Sequence, residues 1–220
     1  FIRLMTMKIT LLGSAMRVCT WSRTDSVALK KRIPMHSITR YFAVFLIGLL
    51  SFPNLMAEVD WPTWRHNAGR TNISTEKIPA PLRLQWKRQL PPVKPAFRKS
   101  RLQFDQGYEP IVMDDTMYVA VPHVDAVVAY AVETGKEKWR FYTAGPVRMA
   151  PVGWRNKLYF GSDDGHLYCL NASDGTLQWK FRAVPSARKL LGNGRLISVW
   201  PIRGGPVLTE GTVYFAAGVW

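Results

Sequence analysis

From residue 109 onward, apolar and polar positions alternate in short runs, each closed by Asp, Gly, Asn or Ser. Lys157-Leu158-Tyr159-Phe160-Gly161 and Leu167-Tyr168-Cys169-Leu170 are two such runs, rich in aromatic side chains. A period of two over a short, turn-bounded segment is the pattern of a half-buried strand. The spacing predicts strands at about 150–153, 156–161, 166–171 and 176–182. Turns are expected at Asp163-Asp164-Gly165 and Ser173-Asp174-Gly175, where Gly permits a positive φ.

The pattern repeats. Glu109–Gly145 and Ala150–Ser186 align with a shift of 40 to 41 residues. Met117-Tyr118-Val119-Ala120 matches Leu158-Tyr159-Phe160-Gly161, and Thr134-Gly135-Lys136-Glu137-Lys138-Trp139 matches Asp174-Gly175-Thr176-Leu177-Gln178-Trp179. A third copy opens at Gly205-Pro206-Val207-Leu208 and reaches Thr212–Ala216. A period near forty with four short strands per unit predicts an all-β chain, a partial β-propeller. The copies at 109–147, 150–187 and 205–220 make about two and a half four-stranded blades. A ring of seven or eight is expected, so the chain reads as a fragment.

The Gly-x-x-x-Trp step recurs at Gly135/Trp139 and Gly175/Trp179. Gly frees the turn, and a Trp four residues on can wedge between neighbouring blades and bury a large apolar area. Leu84-Gln85-Trp86-Lys87-Arg88 nearly repeats Leu177-Gln178-Trp179-Lys180-Phe181, a last blade strand. A ring-closing strand is therefore expected at 84–88, within a lead-in and linker spanning 58–108. Gly135, Trp139, Gly175, Trp179 and Trp86 are the expected blade-docking residues.

Tyr159 and Tyr214 stand 55 apart, against 41 for Tyr118 and Tyr159, so an insertion of 14 residues falls within 183–204. Insertions in repeat proteins map to loops, often on a binding face. Asn193-Gly194 predicts a turn between two short extra strands. Leu190, Leu191, Ile197 and Trp200 are expected to be buried against a neighbouring blade. The insertion holds Arg188, Lys189, Arg195 and Arg203 without an acid. Those four and Trp200 are candidates for an anionic ligand or polymer. His123 and His166 fall near the turns between second and third strands, on the same face, and complete the candidate set. Exposed turn histidines are the simpler expectation for both. Asp163 and Asp164 are assigned to hairpin chemistry in preference to a metal site. No catalytic or metal-binding residue is assigned.

Residues 35–57 carry the features of a secretory signal peptide: Arg40, a twelve-residue apolar run Tyr41–Phe52, and Leu55-Met56-Ala57 before the cut. The run is short for a transmembrane helix, which needs about 20 apolar residues. An uncleaved anchor is the alternative, and no transmembrane span is expected in the mature chain. Residues 1–34 read as an upstream extension, with Met35 the natural start and Met5, Met7 and Met16 the alternatives. Localisation is expected to be periplasmic or in the cell envelope.

The formal charge of +15 is uneven: eight basic residues and one acid, Asp25, lie in 1–57, and ten basic residues and three acids in 58–101. The repeats are close to neutral and show no basic stripe with aromatics, so nucleic acid is not an expected partner. Cys19 precedes the export signal, and Cys169 sits in a strand as a buried thiol, so neither a disulfide framework nor metal spacing is present.

At Ala129–Gly135 with Trp139, and Cys169–Gly175 with Trp179, the chain resembles the pyrroloquinoline-quinone-type (PQQ-like) β-propeller repeat family. That family's unit is similar to Ala-Leu-Asp-Ala-x-Thr-Gly-x-x-x-Trp. The Asp position is Ala131 in one copy and Asn171 in the other. Trp61-Pro62-Thr63-Trp64-Arg65 resembles the opening of exported bacterial members. The resemblance implies either a quinoprotein dehydrogenase or a propeller without quinone, such as the outer-membrane assembly subunit. The first implies PQQ, a carboxylate base, an oxygen-rich Ca²⁺ site and a disulfide between adjacent cysteines. No adjacent cysteines occur here. The expectation is a non-catalytic exported scaffold or binding module of the cell envelope. No cofactor is evident, and the partner would be another envelope protein or an extracellular ligand. The alternatives are a quinoprotein oxidoreductase with its site mostly elsewhere, or a propeller fused to a separate enzyme domain.

Overall fold

The computed structural model describes residues 5–12, 15–17, 60–78, 80–92, 107–182, 184–192 and 195–218. The expected signal segment, the basic run Arg98–Arg101 and the Asn193-Gly194 turn lie outside these. The described chain is all-β, apart from one 3-10 turn at Pro122–Val124. No helix among the described residues is long and apolar enough to cross a membrane.

Two strands, β1 (Met5–Leu12) and β2 (Ala15–Arg17), come first. The first blade is β3 (Ile111–Met113), β4 (Thr116–Val121), β5 (Ala126–Ala131) and β6 (Glu137–Tyr142), in that order across one antiparallel sheet. The second is β7 (Val152–Trp154), β8 (Lys157–Gly161), β9 (His166–Asn171) and β10 (Leu177–Arg182), ordered alike. All four strands expected of the second copy form. Between blades, β11 (Lys189–Gly192) pairs with β12 (Arg195–Ser198) as a separate hairpin. The third copy contributes β13 (Val207–Thr209) and β14 (Thr212–Ala217).

The repeat is reproduced bond for bond at the turns. Gly135 N–H donates to Ala131 O at 2.8 Å and Gly175 N–H to Asn171 O at 2.9 Å. Both glycines have positive φ, +64° and +74°, which a side chain would oppose. Ladder irregularities fall at equivalent places, beside Ala129/Tyr130 and between Leu177 and Trp179.

Alternation sends successive side chains to opposite faces of each blade. Tyr118 and Ala120 join Leu158, Phe160, Tyr168 and Leu170 in one core between blades one and two. Val119 and Val121 face the other way with Val128 and Tyr130, and Leu90 and Tyr108 of the lead-in cover them. Tyr159, Leu167 and Cys169 join Val213, Phe215 and the insertion's Ile202 in a second inter-blade core. Cys169 is fully buried there, and burial pushes its thiol up to about 11.

The lead-in lies along the first strands of the blades. Trp61 bridges Val112, and Gly153 N–H donates to Pro62 O at 2.7 Å. Trp64 packs against the first core and carries the Arg65 and Arg70 guanidinium groups over its ring, at 4.4 and 4.9 Å.

Leu84–Arg88 forms no strand and is mostly exposed, with no strand among the described residues to supply the ladder that a ring-closing strand would need. The third copy is not left as an open hairpin either. β1 pairs antiparallel with β14, from Met5↔Ala217 to Thr10↔Thr212, so the sheet runs β13-β14-β1-β2. An unpaired strand edge is a row of unsatisfied N–H and C=O groups, and a strand of compatible pattern fills it.

Candidate functional site

The expected docking residues form joints between units. The Trp139 ring lies on Gly175, so close that a Cβ there would stand 2.6 Å from ring carbons. Its Nε1–H donates to Ala172 O at 3.0 Å. The Trp86 ring lies on Gly135 in the same way, at 2.7 Å, with its Nε1–H on Val132 O at 2.6 Å. Arg88 adds a bond to Gly135 O at 2.8 Å and lies over the Tyr130 ring. Trp179 packs in the second inter-blade core, 5.9 Å from Tyr159, as Trp139 stands 5.7 Å from Tyr118.

The insertion lies on the turn between the second and third strands of blade two. Ser198 N–H donates to Asp163 O at 2.8 Å, and Ile202 N–H to Ser162 O at 3.2 Å. Small residues permit this approach: a Cβ on Gly161 would meet Ile202 at 2.2 Å, and one on Gly165 would meet Ser198 Oγ at 2.8 Å. The insertion also reaches blade one. Arg195 bonds the Asp125 carboxylate and donates to Pro122 O at 3.3 Å. Burial raises the Asp125 carboxyl above its ordinary range, and Arg195 opposes that shift.

The acid–base groups on this face bond one another. Arg203 reaches Asp163 at 3.4 and 3.5 Å, with Asp163 fully buried. Asp164 accepts from the Tyr168 hydroxyl at 2.5 Å and from His166 N–H at 2.9 Å, and its Oδ1 stands 3.3 Å from His166 Nδ1. Burial, and then this carboxylate, raise the Tyr168 hydroxyl. Asp163 and Asp164 thus sit in the expected turn, but as buried, bonded groups rather than solvated ones.

The candidate ligand residues separate into three sets. Arg195 and Arg203 are tied to carboxylates. His166 stands on Asp164, while His123 lines a cavity of about 70 Å³ with Leu90, Tyr108, Val128, Tyr130 and Arg140 on the lead-in side. Both histidines are half-buried rather than exposed, because the turns are packed under the insertion or the lead-in. Arg188 and Lys189 are exposed on the hairpin, and Trp200 is half-buried against the second core. Ile197 is buried as expected, but Leu190 and Leu191 are 40% and 76% exposed, because the hairpin stands off the blade on one face only. No three His, Cys, Asp or Glu among the described residues converge as metal ligands.

Sequence reasoning passed over Asp125, Ser162 and Tyr168. It also passed over a short repeat, Pro146-Val147-Arg148 and Pro201-Ile202-Arg203. Asp163 N–H donates to Pro146 O at 2.8 Å, and Gly218 N–H makes the same bond to Pro201 O one blade on, at 3.2 Å. That repeat marks Pro201, Ile202 and Arg203 as the blade-to-blade link that closes the 183–204 stretch.

The family model described as outer membrane protein assembly factor BamB matches residues 63–218. The chain belongs to this family of PQQ-like propeller repeats. Its sequence is also similar to subunits of quinone-dependent alcohol dehydrogenases. It is 31% identical over 130 residues to the dehydrogenase subunit of alcohol dehydrogenase (quinone) from Gluconacetobacter polyoxogenes, covering 53% of this chain and 17% of that protein. The subunit from Gluconobacter oxydans (strain 621H) is 29% identical over 130 residues, covering 53% and 16%. The chain spans about a sixth of the length of these curated relatives. Quinohemoprotein alcohol dehydrogenase from Comamonas testosteroni has a similar structure: TM-score 0.51, 23% identity, 70% of this chain and 22% of that one. That likeness concerns the fold.

Proposed function

We propose that this chain is part of an exported β-propeller that acts as a binding module of the cell envelope, with no redox centre in these blades. The observation that carries the reading is the mutual pairing on the insertion-bearing face. Asp125, Asp163 and Asp164 are held by Arg195, Arg203 and Tyr168. A quinone site needs a carboxylate free to take a proton, oxygen donors for a cation, and a flat surface for the ring. Asp163 and Asp164, 0% and 5% exposed, lie beneath Ser198 and Ile202 and do not fit that need. The family description names an outer-membrane assembly factor, and the apolar run Tyr41–Phe52 with Ala57 supports export.

The second reading is a quinoprotein oxidoreductase whose site is built elsewhere, favoured by the 31% identity to a quinone-dependent dehydrogenase subunit. One experiment separates the two. The protein encoded by the complete reading frame is incubated with PQQ and Ca²⁺, and alcohol oxidation is followed with an artificial electron acceptor. Under the binding-module reading neither activity nor stoichiometric PQQ uptake appears; turnover dependent on both additions establishes the oxidoreductase. N-terminal sequencing of secreted material checks export, with Glu58 the expected first residue.

A further inference from the structure

The register of the β11–β12 hairpin sorts its side chains between two faces. Leu190 lies opposite Ile197, Gly192 opposite Arg195, Leu191 opposite Leu196 and Lys189 opposite Ser198. Directly opposed residues share a face, and neighbours along a strand alternate. Ile197, 5% exposed, and Arg195, bonded to Asp125, mark the face turned to the blades. Leu191 and Leu196 are therefore a cross-strand pair on the opposite face, 76% and 57% exposed. Two adjacent leucines held outward by a paired backbone differ from singly scattered surface apolar residues.

The surrounding charge has one sign. No Asp or Glu occurs from Gly175 to Thr209. Arg195 and Arg203 are neutralised by Asp125 and Asp163 from outside that stretch. Arg188 and Lys189 are exposed, and no carboxylate among the described residues pairs with either. Lys189 stands two residues before Leu191 and is exposed with it, while its register partner Ser198 is buried where the hairpin base meets the blade.

We propose that the outward face of this hairpin contacts an anionic lipid interface, with Leu191 and Leu196 entering the acyl boundary and Arg188 and Lys189 pairing with headgroups. An exposed leucine pair beside unpaired cations matches a bilayer interface, which offers anionic headgroups next to apolar chains. The inference concerns this hairpin alone and rests on neither the scaffold nor the oxidoreductase reading.

The test is co-sedimentation of the full chain with vesicles of phosphatidylcholine alone or mixed with phosphatidylglycerol, at low and physiological salt. Binding is expected only to the mixed vesicles and to weaken with salt. Arg188→Gln and Lys189→Gln each lower it about five-fold. Leu191→Ser with Leu196→Ser lowers it about ten-fold or more without changing the urea midpoint. Because Tyr41–Phe52 could itself reach a bilayer, a second reading is taken at the tip. Leu191→Cys in a Cys19→Ser background carries a polarity-sensitive fluorophore, whose emission should shift to the blue with mixed vesicles. Sedimentation without that shift overturns the proposal, as does binding indifferent to all four substitutions. Failure to bind any vesicle, with the tip protected instead by a soluble envelope protein, also overturns it.

Discussion

Two joints use the same pair of residues and differ in everything around them. At Trp139 and Gly175 the tryptophan belongs to β6, within a complete four-stranded sheet. At Trp86 and Gly135 the tryptophan rides on a stretch with no strand, flanked by Leu82 and Leu84 at 75% and 85% exposure. Yet both rings cover a positive-φ glycine, and both indoles donate to a carbonyl in the turn just before it, that of Ala172 or Val132. The contact is thus a property of the Trp–Gly pair rather than of the ladder behind the tryptophan. What the ladder adds is the rest of the blade: Phe141 of β6 packs with Phe160 and Tyr168, whereas the lead-in has only Leu90 and Tyr108 over blade one.

The largest effect should come from removing the tryptophan held by a full sheet. Trp139→Ala is expected to cost about 3–5 kcal/mol, the range for emptying a large aromatic site. Trp86→Ala should cost only about 1 kcal/mol, because both rings are half-buried but only Trp139 packs against an inter-blade core. Urea denaturation of both variants gives the ratio; equal losses would mean that the lead-in is as firmly built as a blade.

Next in size is the tie between insertion and blade one. Arg195→Met leaves the half-buried Asp125 without its cation and should cost about 1–3 kcal/mol at neutral pH. Burial already raises the Asp125 carboxyl. Its folded state therefore holds the proton more tightly than the unfolded chain, so the cost of charging it appears as pH rises past the ordinary carboxylate range. The stability difference between Arg195→Met and the parent should narrow on acidification. A gap that stays constant with pH would place the loss in packing rather than charge.

The smallest effect is expected at the surface of blade one. Lys138 reaches the mostly exposed Asp115 at 3.1 Å. The Thr116 hydroxyl and then Lys138 hold the Asp115 carboxyl below its ordinary range. Lys138→Ala should change stability by about 0.5 kcal/mol or less, since exposed pairs are weak. Any contribution from this pair is present at neutral pH and lost on acidification, opposite in sign to Asp125.

The blades were legible because their signal is local and repeated. Alternation placed β7 to β10, and Gly-x-x-x-Trp located the rings that meet Gly135 and Gly175. The resemblance of 84–88 to Leu177–Phe181 carries through to the side chains, since Trp86 meets Gly135 as Trp139 meets Gly175, while a strand there also needs a neighbour for its N–H and C=O groups. The hairpin was legible from Asn193-Gly194, but not which leucines it buries, since that depends on the side it turns to the blade. Arg195 with Asp125 joins positions 70 residues apart, and nothing local marks such a pair. The β1–β14 pairing was hidden for the same reason.

The most direct test of the joint is a double-mutant cycle on Trp139 and Gly175. Gly175→Ala carries two costs: a positive φ, about 1 kcal/mol for a residue with Cβ, and a clash with the Trp139 ring, about 1–3 kcal/mol by the usual scale of overpacking. If the ring on the glycine is the joint, Gly175→Ala should cost about 2–4 kcal/mol in the parent and only about 1 kcal/mol once Trp139 is alanine, because the clash then has no partner. An equal loss in both backgrounds would contradict the account, since the tryptophan would then not rest on that glycine.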